Sequence, residues 1–76
     1  MNKDLAYYMS LPYTITLTPV SPEDGGGWLA LIPQLKGCIS GGDTKEEALL
    51  NIEEAKELWL EGALEDDIPI PEPTFA

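Results

Sequence analysis

Most of the side chains that could do chemistry in this sequence are carboxylates. The chain has fourteen Asp and Glu residues, four lysines and no His, for a formal net charge of −10. Four of the carboxylates recur at every fourth position: Glu53, Glu57, Glu61 and Glu65. On a helix this spacing forms one row, in which each like-charged pair is destabilising by roughly 0.2–0.5 kcal/mol. The row indicates either a solvated face or a docking surface for a basic protein.

The other reactive groups give little support to catalysis. Without His there is no imidazole base, no Ser–His or Cys–His pair and no His-bearing metal site. A two-metal nuclease would need carboxylates on strands that face one cleft, and the first two predicted strands contain none. Cys38 has no basic neighbour except Lys36 across a predicted turn, so we interpret it as a packed thiol. We predict a protein that is not an enzyme and holds no cofactor or metal.

Charge and hydropathy restrict the partners and the location. An acidic chain repels phosphates, so we predict that it does not bind nucleic acid directly on its own. The longest apolar run, Trp28–Pro33, is too short to span a membrane, and Met1–Ser10 lacks the features of a signal peptide. A single cysteine requires no oxidising compartment. These features predict a cytoplasmic protein without membrane association.

Residue patterns predict three strands in the first half of the chain. Apolar and polar residues alternate over Met9–Thr18, which is typical of a strand with one face on a core. Pro19–Gly27, rich in proline and glycine, predicts a loop. Trp28–Pro33 predicts a central strand and Cys38–Ser40 a short third one after a tight turn. The three strands should form an antiparallel meander.

A long helix is predicted next. Thr44 with Glu47, or Asp43 with Glu46, matches a capping box, and the helix should run to about Leu64. Residues at helical spacing predict one apolar face toward the sheet. They are Ala48, Leu49, Ile52, Ala55, Trp59, Leu60 and Ala63.

The positions of two residues within that face can be predicted separately. Trp59 should be buried against the sheet as the core anchor, with Ile52 and Ile15 nearby. Lys56 should lay its methylene groups along the edge of the face.

The segment after the helix predicts a short edge strand at Ile68–Ile70. Pro69 and Pro71 cannot donate hydrogen bonds to a ladder, which restricts the segment to an edge. A helical crossover would place this strand parallel to the first one. The expected fold is therefore α+β, with spatial strand order 3-2-1-4.

The stretch Leu31–Ala48 resembles the signature of HicB-like antitoxins. In that family a proline-containing strand runs into a Gly-Cys turn, and Gly-Asp-Thr and Glu-Glu-Ala then open a helix. The matching positions are Pro33, Gly37, Cys38, Gly42, Asp43, Thr44, Glu46, Glu47 and Ala48. The start Tyr8–Tyr13 and the tail Ile68–Pro73 also resemble family members. The resemblance implies a truncated RNase H-like β-β-β-α-β fold without nuclease residues.

The same resemblance implies a function. It implies that the chain neutralises a HicA-type toxin, a small basic mRNA-cleaving protein with a catalytic histidine, by covering its active site or its RNA path. The candidate contact residues lie on the predicted helix: Glu46, Leu50, Glu53, Glu54, Glu57, Leu58, Glu61 and Glu65. We expect residues 1–76 to form one HicB-like domain. Many family members continue into a DNA-binding domain, which we do not expect here.

Two alternative functions are considered for the chain, and we also expect it to self-associate. The chain could be a solitary HicB-like binding or regulatory module with another protein partner. A third option, an RNase H-like nuclease, is disfavoured by the acid-free strands. We expect a homodimer or higher homo-oligomer, because a small core and an edge strand both favour association. Pairing of sheet edges and packing around Leu50 and Leu58 are the two modes considered.

Overall fold

The three strands and the long helix follow the predicted order, and one short helix is added at the start. The computed structural model describes residues 3–73. Its elements are α1 (Leu5–Met9), β1 (Thr16–Pro19), β2 (Trp28–Leu31), β3 (Ile39–Gly42) and α2 (Lys45–Glu65). The three strands form one antiparallel sheet in the order β1-β2-β3. This confirms an α+β fold with a three-stranded antiparallel meander and a long helix, whereas the RNase H-like designation stays a prediction.

The strand predicted over Met9–Thr18 is correct only at its end. Leu5–Met9 forms α1, which Asp4 caps by accepting a hydrogen bond from the Tyr7 amide at 3.0 Å. The ladder begins only at Thr16. Pro12, which has no amide hydrogen, lies before it in a tight turn, which the Tyr13 amide closes by donating to the Leu11 carbonyl oxygen at 2.9 Å. Burial nevertheless alternates through this stretch, with Tyr13 buried and the threonines exposed.

The start of α2 agrees with the capping-box prediction. The Thr44 hydroxyl accepts a hydrogen bond from the Glu47 amide at 3.1 Å, and the Glu47 carboxylate accepts one from the Asp43 amide at 3.3 Å. The first turn also lies close to β3. A Cβ added to Gly42 would be 2.6 Å from the Cβ of Glu47, so a larger residue there would move the helix away from the sheet.

The apolar face of α2 differs from the prediction at Leu49 and Trp59. Leu49 is 39% exposed, and Trp59 is only partly buried. The indole Nε1 of Trp59 donates to the carbonyl oxygen of Lys36 at 2.9 Å, so the ring lies at the turn between β2 and β3. The largest fully buried side chains are aliphatic instead: Ile32, Leu35, Ile52 and Leu60.

Lys56 is buried rather than laid along the edge of the helix. Only 5% of the residue is exposed. Its Nζ lies 3.3 Å from the Glu53 carboxylate and 3.5 Å from the Met9 carbonyl oxygen. The ammonium is also 6.0 Å from the centre of the Tyr13 ring. A charged group therefore occupies the junction between α2, the end of α1 and the segment after it.

The predicted fourth strand does not form. Ile68–Ile70 belongs to no strand, so the fourth strand and its parallel pairing are wrong for the described residues, whereas the order 3-2-1 agrees with the sheet. Pro69 within this segment and Pro71 directly after it lack the amide hydrogens that a ladder needs. The segment is held by side chains instead, since the Tyr13 hydroxyl donates to the Pro71 carbonyl oxygen at 2.6 Å.

Candidate partner-binding surface

All eight predicted contact residues are exposed and lie on α2. We call this set the α2 outer face: Glu46, Leu50, Glu53, Glu54, Glu57, Leu58, Glu61 and Glu65. The buried residues of the helix point the other way, namely Ala48, Ile52, Lys56, Leu60 and Ala63. Because a helix turns 100° per residue, Leu50, Glu54 and Leu58 fall on the side opposite the core. The structure thus brings the predicted residues together on one surface.

The carboxylates of this face differ in whether an ion pair or a hydrogen bond neutralises their charge. Glu53 lies at the border of the core, where its carboxylate contacts the Lys56 ammonium at 3.3 Å. Glu57, Glu61 and Glu65 take part in no ion pair or side-chain hydrogen bond among residues 3–73. The part of the row that is open to a cationic partner therefore begins at Glu57.

Three of the four lysines are engaged by other groups, and of these Lys56 reaches the α2 outer face only at Glu53. Lys3 contacts Glu72 at 2.7 Å, Lys56 is buried, and the Lys45 ammonium lies 4.8 Å from the centre of the Trp28 ring. The chain thus has few positive charges near the α2 outer face. A surface of this kind attracts a basic protein over distances comparable to the Debye length.

Two leucines give the α2 outer face an apolar centre. Leu50 is 68% exposed and Leu58 is 69% exposed, more than the other large hydrophobic residues in the described chain. They lie two turns apart, about 12 Å along the axis at 1.5 Å per residue. Apolar side chains ringed by charged ones are typical of protein interfaces, where the apolar centre loses its water on binding.

Two hydrogen bonds that the sequence interpretation missed fix the rotation of α2. The Asn51 side-chain amide donates to the Gly41 carbonyl oxygen of β3 at 2.7 Å, and Trp59 donates to Lys36 at the turn. Asn51 is exposed and Trp59 is only partly buried, and each side chain reaches from the helix to β3 or to the turn before it. They hold the helix in the orientation that directs Leu50 and Leu58 outward.

The comparisons with known proteins identify the family. A model described as "HicB_like antitoxin of bacterial toxin-antitoxin system" matches residues 13–75, which include the sheet, α2 and the tail. The chain belongs to the HicB-like antitoxin family. Membership supports an antitoxin role in general, with a toxin as the kind of partner, and it favours a non-catalytic role.

Three curated relatives of this HicB-like chain come from two bacteria and a phage. A UPF0150 protein of Synechocystis is 48% identical over 59 residues, which cover 78% of this chain and 71% of the relative. A UPF0150 protein of Helicobacter pylori is 51% identical over 51 residues, 67% of this chain and 69% of the relative. An uncharacterised 14.9 kDa protein of Haemophilus phage HP1 is 47% identical over 45 residues, 59% of this chain but 34% of the relative. No solved structure matches the chain.

The structure shows where the potentially reactive groups of the HicB-like chain lie. Cys38 is buried, and burial raises the pKa of its thiol, although the charge of Lys56 acts in the opposite direction. The packed-thiol interpretation is therefore confirmed. Within residues 3–73, His, Cys, Asp and Glu side chains form no group of three that could hold a metal ion. The helices in this range are too short or too polar to cross a membrane.

The tail of the HicB-like chain is fastened to α1 by a cluster that the sequence interpretation missed. The Glu72 carboxylate accepts hydrogen bonds from the Lys3 ammonium at 2.7 Å and the Tyr7 hydroxyl at 2.8 Å. These two donors lower the pKa of Glu72. We call this set, with the Tyr13–Pro71 hydrogen bond, the tail clasp. Contacts between residues almost seventy positions apart leave no periodic signal in a sequence.

Proposed function

We propose that the chain neutralises a small basic HicA-type mRNA-cleaving toxin by docking the α2 outer face over its active site or its RNA path. The observation that supports this most is the combination of two exposed leucines with three uncompensated carboxylates on one helix face. Family membership supports a toxin partner in general. No catalytic group from this chain is required, because covering the site is sufficient for inhibition.

The charge arrangement suits inhibition of an RNA-cleaving enzyme. A protein that binds RNA presents cations to the phosphates, and an acidic helix competes for the same cations. Complementary charge would raise the association rate and make it salt-dependent. Burial of Leu50 and Leu58 would then slow dissociation, since desolvated apolar anchors contribute most of the binding free energy. Relief of repulsion between Glu57, Glu61 and Glu65 would add to the affinity.

The sequence alternative, a solitary HicB-like module with another protein partner, would use the same face. A neighbouring gene that encodes a small basic protein separates the two, because only the toxin hypothesis requires one. We further propose that the chain self-associates and does not bind promoter DNA by itself. A metal-dependent nuclease activity is disfavoured because β1 and β2 carry no carboxylates. RNA hydrolysis by the purified protein that is lost on chelation would contradict this.

The test measures association with a HicA-type toxin, taken from a neighbouring gene that encodes a small basic protein, across a salt series. The test variant replaces Glu57, Glu61 and Glu65 by Gln. We expect association to slow about tenfold or more at low salt and inhibition of RNA cleavage to weaken. An association rate that stays unchanged would exclude the α2 outer face as the docking site.

A matched control removes the same number of negative charges elsewhere. It carries Asp4→Asn, Glu23→Gln and Asp24→Asn, all at exposed positions away from α2. Asn retains the capping ability of Asp4. Association should then slow much less than with the test variant. Equal slowing by the two variants would show that net charge, rather than this face, determines the rate.

A further inference from the structure

The two outer strands of the sheet differ in how far their free edges are covered. The Ile32 amide donates a hydrogen bond to the Cys38 carbonyl oxygen, just before β3. In the observed register, the residues of β3 that bond to β2 are therefore Ser40 and Gly42. By alternation, the backbone groups of Ile39 and Gly41 point to the free edge. Asn51 already occupies the Gly41 carbonyl, and α2 packs against this strand. The edge of β3 is therefore partly blocked.

None of residues 3–73 pairs with the outer edge of β1. The Val20 amide donates to the Gly27 carbonyl oxygen at 2.9 Å, so the residues of β1 that bond to β2 are Thr18 and Thr16. The amide and carbonyl groups of Leu17, and by the same alternation those of Ile15, point away from β2. Among residues 3–73 these groups have no hydrogen-bond partner. They form a template for one more strand.

The surroundings of this edge lack charge. Residues 11–22 contain no Asp, Glu, Lys or Arg, although the chain as a whole carries a formal −10. Exposed edge strands are commonly protected by charged side chains, and here only Pro19 limits pairing, at one end. A basic protein gains less electrostatic attraction at this edge than at the α2 outer face. A second, equally acidic copy can approach here with less repulsion than at the α2 outer face.

We propose that a second copy of this chain pairs with β1 antiparallel, so that the two sheets become one continuous sheet about a twofold axis. In the favoured register, Ile15 lies opposite Leu17 of the second copy, and Thr16 lies opposite its own copy on the axis. The four outward residues of the two chains then exchange about four backbone hydrogen bonds. This dimer goes beyond the proposed inhibition and stands independently of it.

Neighbouring registers are poorer for identifiable reasons. A shift that places Ile15 opposite Pro19 loses a donor, because proline has no amide hydrogen. A shift the other way uses Tyr13, whose amide already donates to the Leu11 carbonyl oxygen at 2.9 Å. In the favoured register the exposed threonines pair on one face and the partly buried Ile15 and Leu17 pair on the other. Both kinds of cross-strand pair are favourable.

The test places two like charges, one from each copy, opposite each other on the proposed twofold axis. Thr16 is exposed, so Thr16→Lys should leave the monomer folded, which thermal melting can verify. The substitution lowers the magnitude of the net charge and would by itself favour association. Sedimentation equilibrium should nevertheless show the dimer weakened about tenfold or more, because the two lysines lie directly opposite each other. Leu58→Lys, with the same charge change on α2, should leave the dimer intact.

A charge-swap experiment gives the register a direct test. Thr16→Glu alone should also be mainly monomeric, whereas an equal mixture of the Lys and Glu variants should regain dimer. Added salt should strengthen the unmodified dimer by screening its net repulsion, while it weakens toxin binding. A monomeric unmodified chain at high micromolar concentration, dissociation caused by Leu58→Lys, or a mixture that stays monomeric would each overturn the proposal. A monomeric unmodified chain or a monomeric mixture would not bear on inhibition of a toxin, whereas dissociation caused by Leu58→Lys would mean that the two copies meet at the α2 outer face.

Discussion

The Lys56 ammonium lies 3.3 Å from the Glu53 carboxylate, and the lysine is almost completely buried while the glutamate side chain remains 48% exposed. The pair thus spans the boundary between the core and the α2 outer face. Its lysine also reaches the carbonyl oxygen at the end of α1. One side chain therefore connects α2 to the N-terminal helix.

The first prediction separates the volume of Lys56 from its charge. Lys56→Met keeps most of the volume and should leave stability within about 1 kcal/mol of the parent, because apolar replacements of buried charges are often neutral or stabilising. Lys56→Ala leaves a cavity and should cost roughly 2–5 kcal/mol. Urea unfolding measures both. A Met variant as unstable as the Ala variant would show that the ammonium contacts, rather than packing, stabilise this junction.

A second prediction concerns Trp59. Since the ring is only partly buried, Trp59→Ala should cost less than the roughly 3–5 kcal/mol typical of a buried Trp. Trp59→Phe retains a ring but leaves the Lys36 carbonyl oxygen without its donor, which should cost about 1 kcal/mol. Chemical denaturation can rank the two variants. A full core-sized loss for Ala would indicate that the ring packs more deeply than its exposure suggests.

The tail clasp predicts a pH-dependent stability difference. Because the folded pKa of Glu72 is lowered by Lys3 and Tyr7, the contribution of the clasp is present above the ordinary glutamate pKa of 4.5. It is lost as the pH falls through the folded value. Glu72→Gln should therefore melt below the parent at neutral pH and converge with it in acid. Glu65→Gln, which removes a carboxylate without a described partner, serves as the control and should show no such convergence.

The leucines of the α2 outer face should act on dissociation. Leu50→Ser and Leu58→Ser together should speed release of the toxin about tenfold or more and change the association rate little, because apolar anchors act mainly on the dissociation rate. Ile39→Ser removes an exposed apolar side chain from the sheet and is the matched control. Surface plasmon resonance resolves the two rates. Faster release by the Ile39 variant alone would move the interface to the sheet.

The sequence by itself determined the elements that depend on neighbouring residues. The start of α2 follows from Thr44 and Glu47, and its length follows from helical periodicity. The exposure of Leu50 and Leu58 follows from the same periodicity. The meander follows from the short apolar segments and the turn residues between them. These signals are local, so a linear pattern contains them.

Tertiary structure alone decided the features that depend on distant contacts. The burial of Lys56 requires α1 and Tyr13 to close over it, and the sequence pattern predicted only an edge position. The tail satisfies its polar groups through Tyr7 and Tyr13 rather than through a ladder on β1. As a result, no residue in the described part of the chain pairs with the outer edge of β1. Hydrogen bonds between remote segments compete with one another for the same partners, and only the assembled fold shows which of them form.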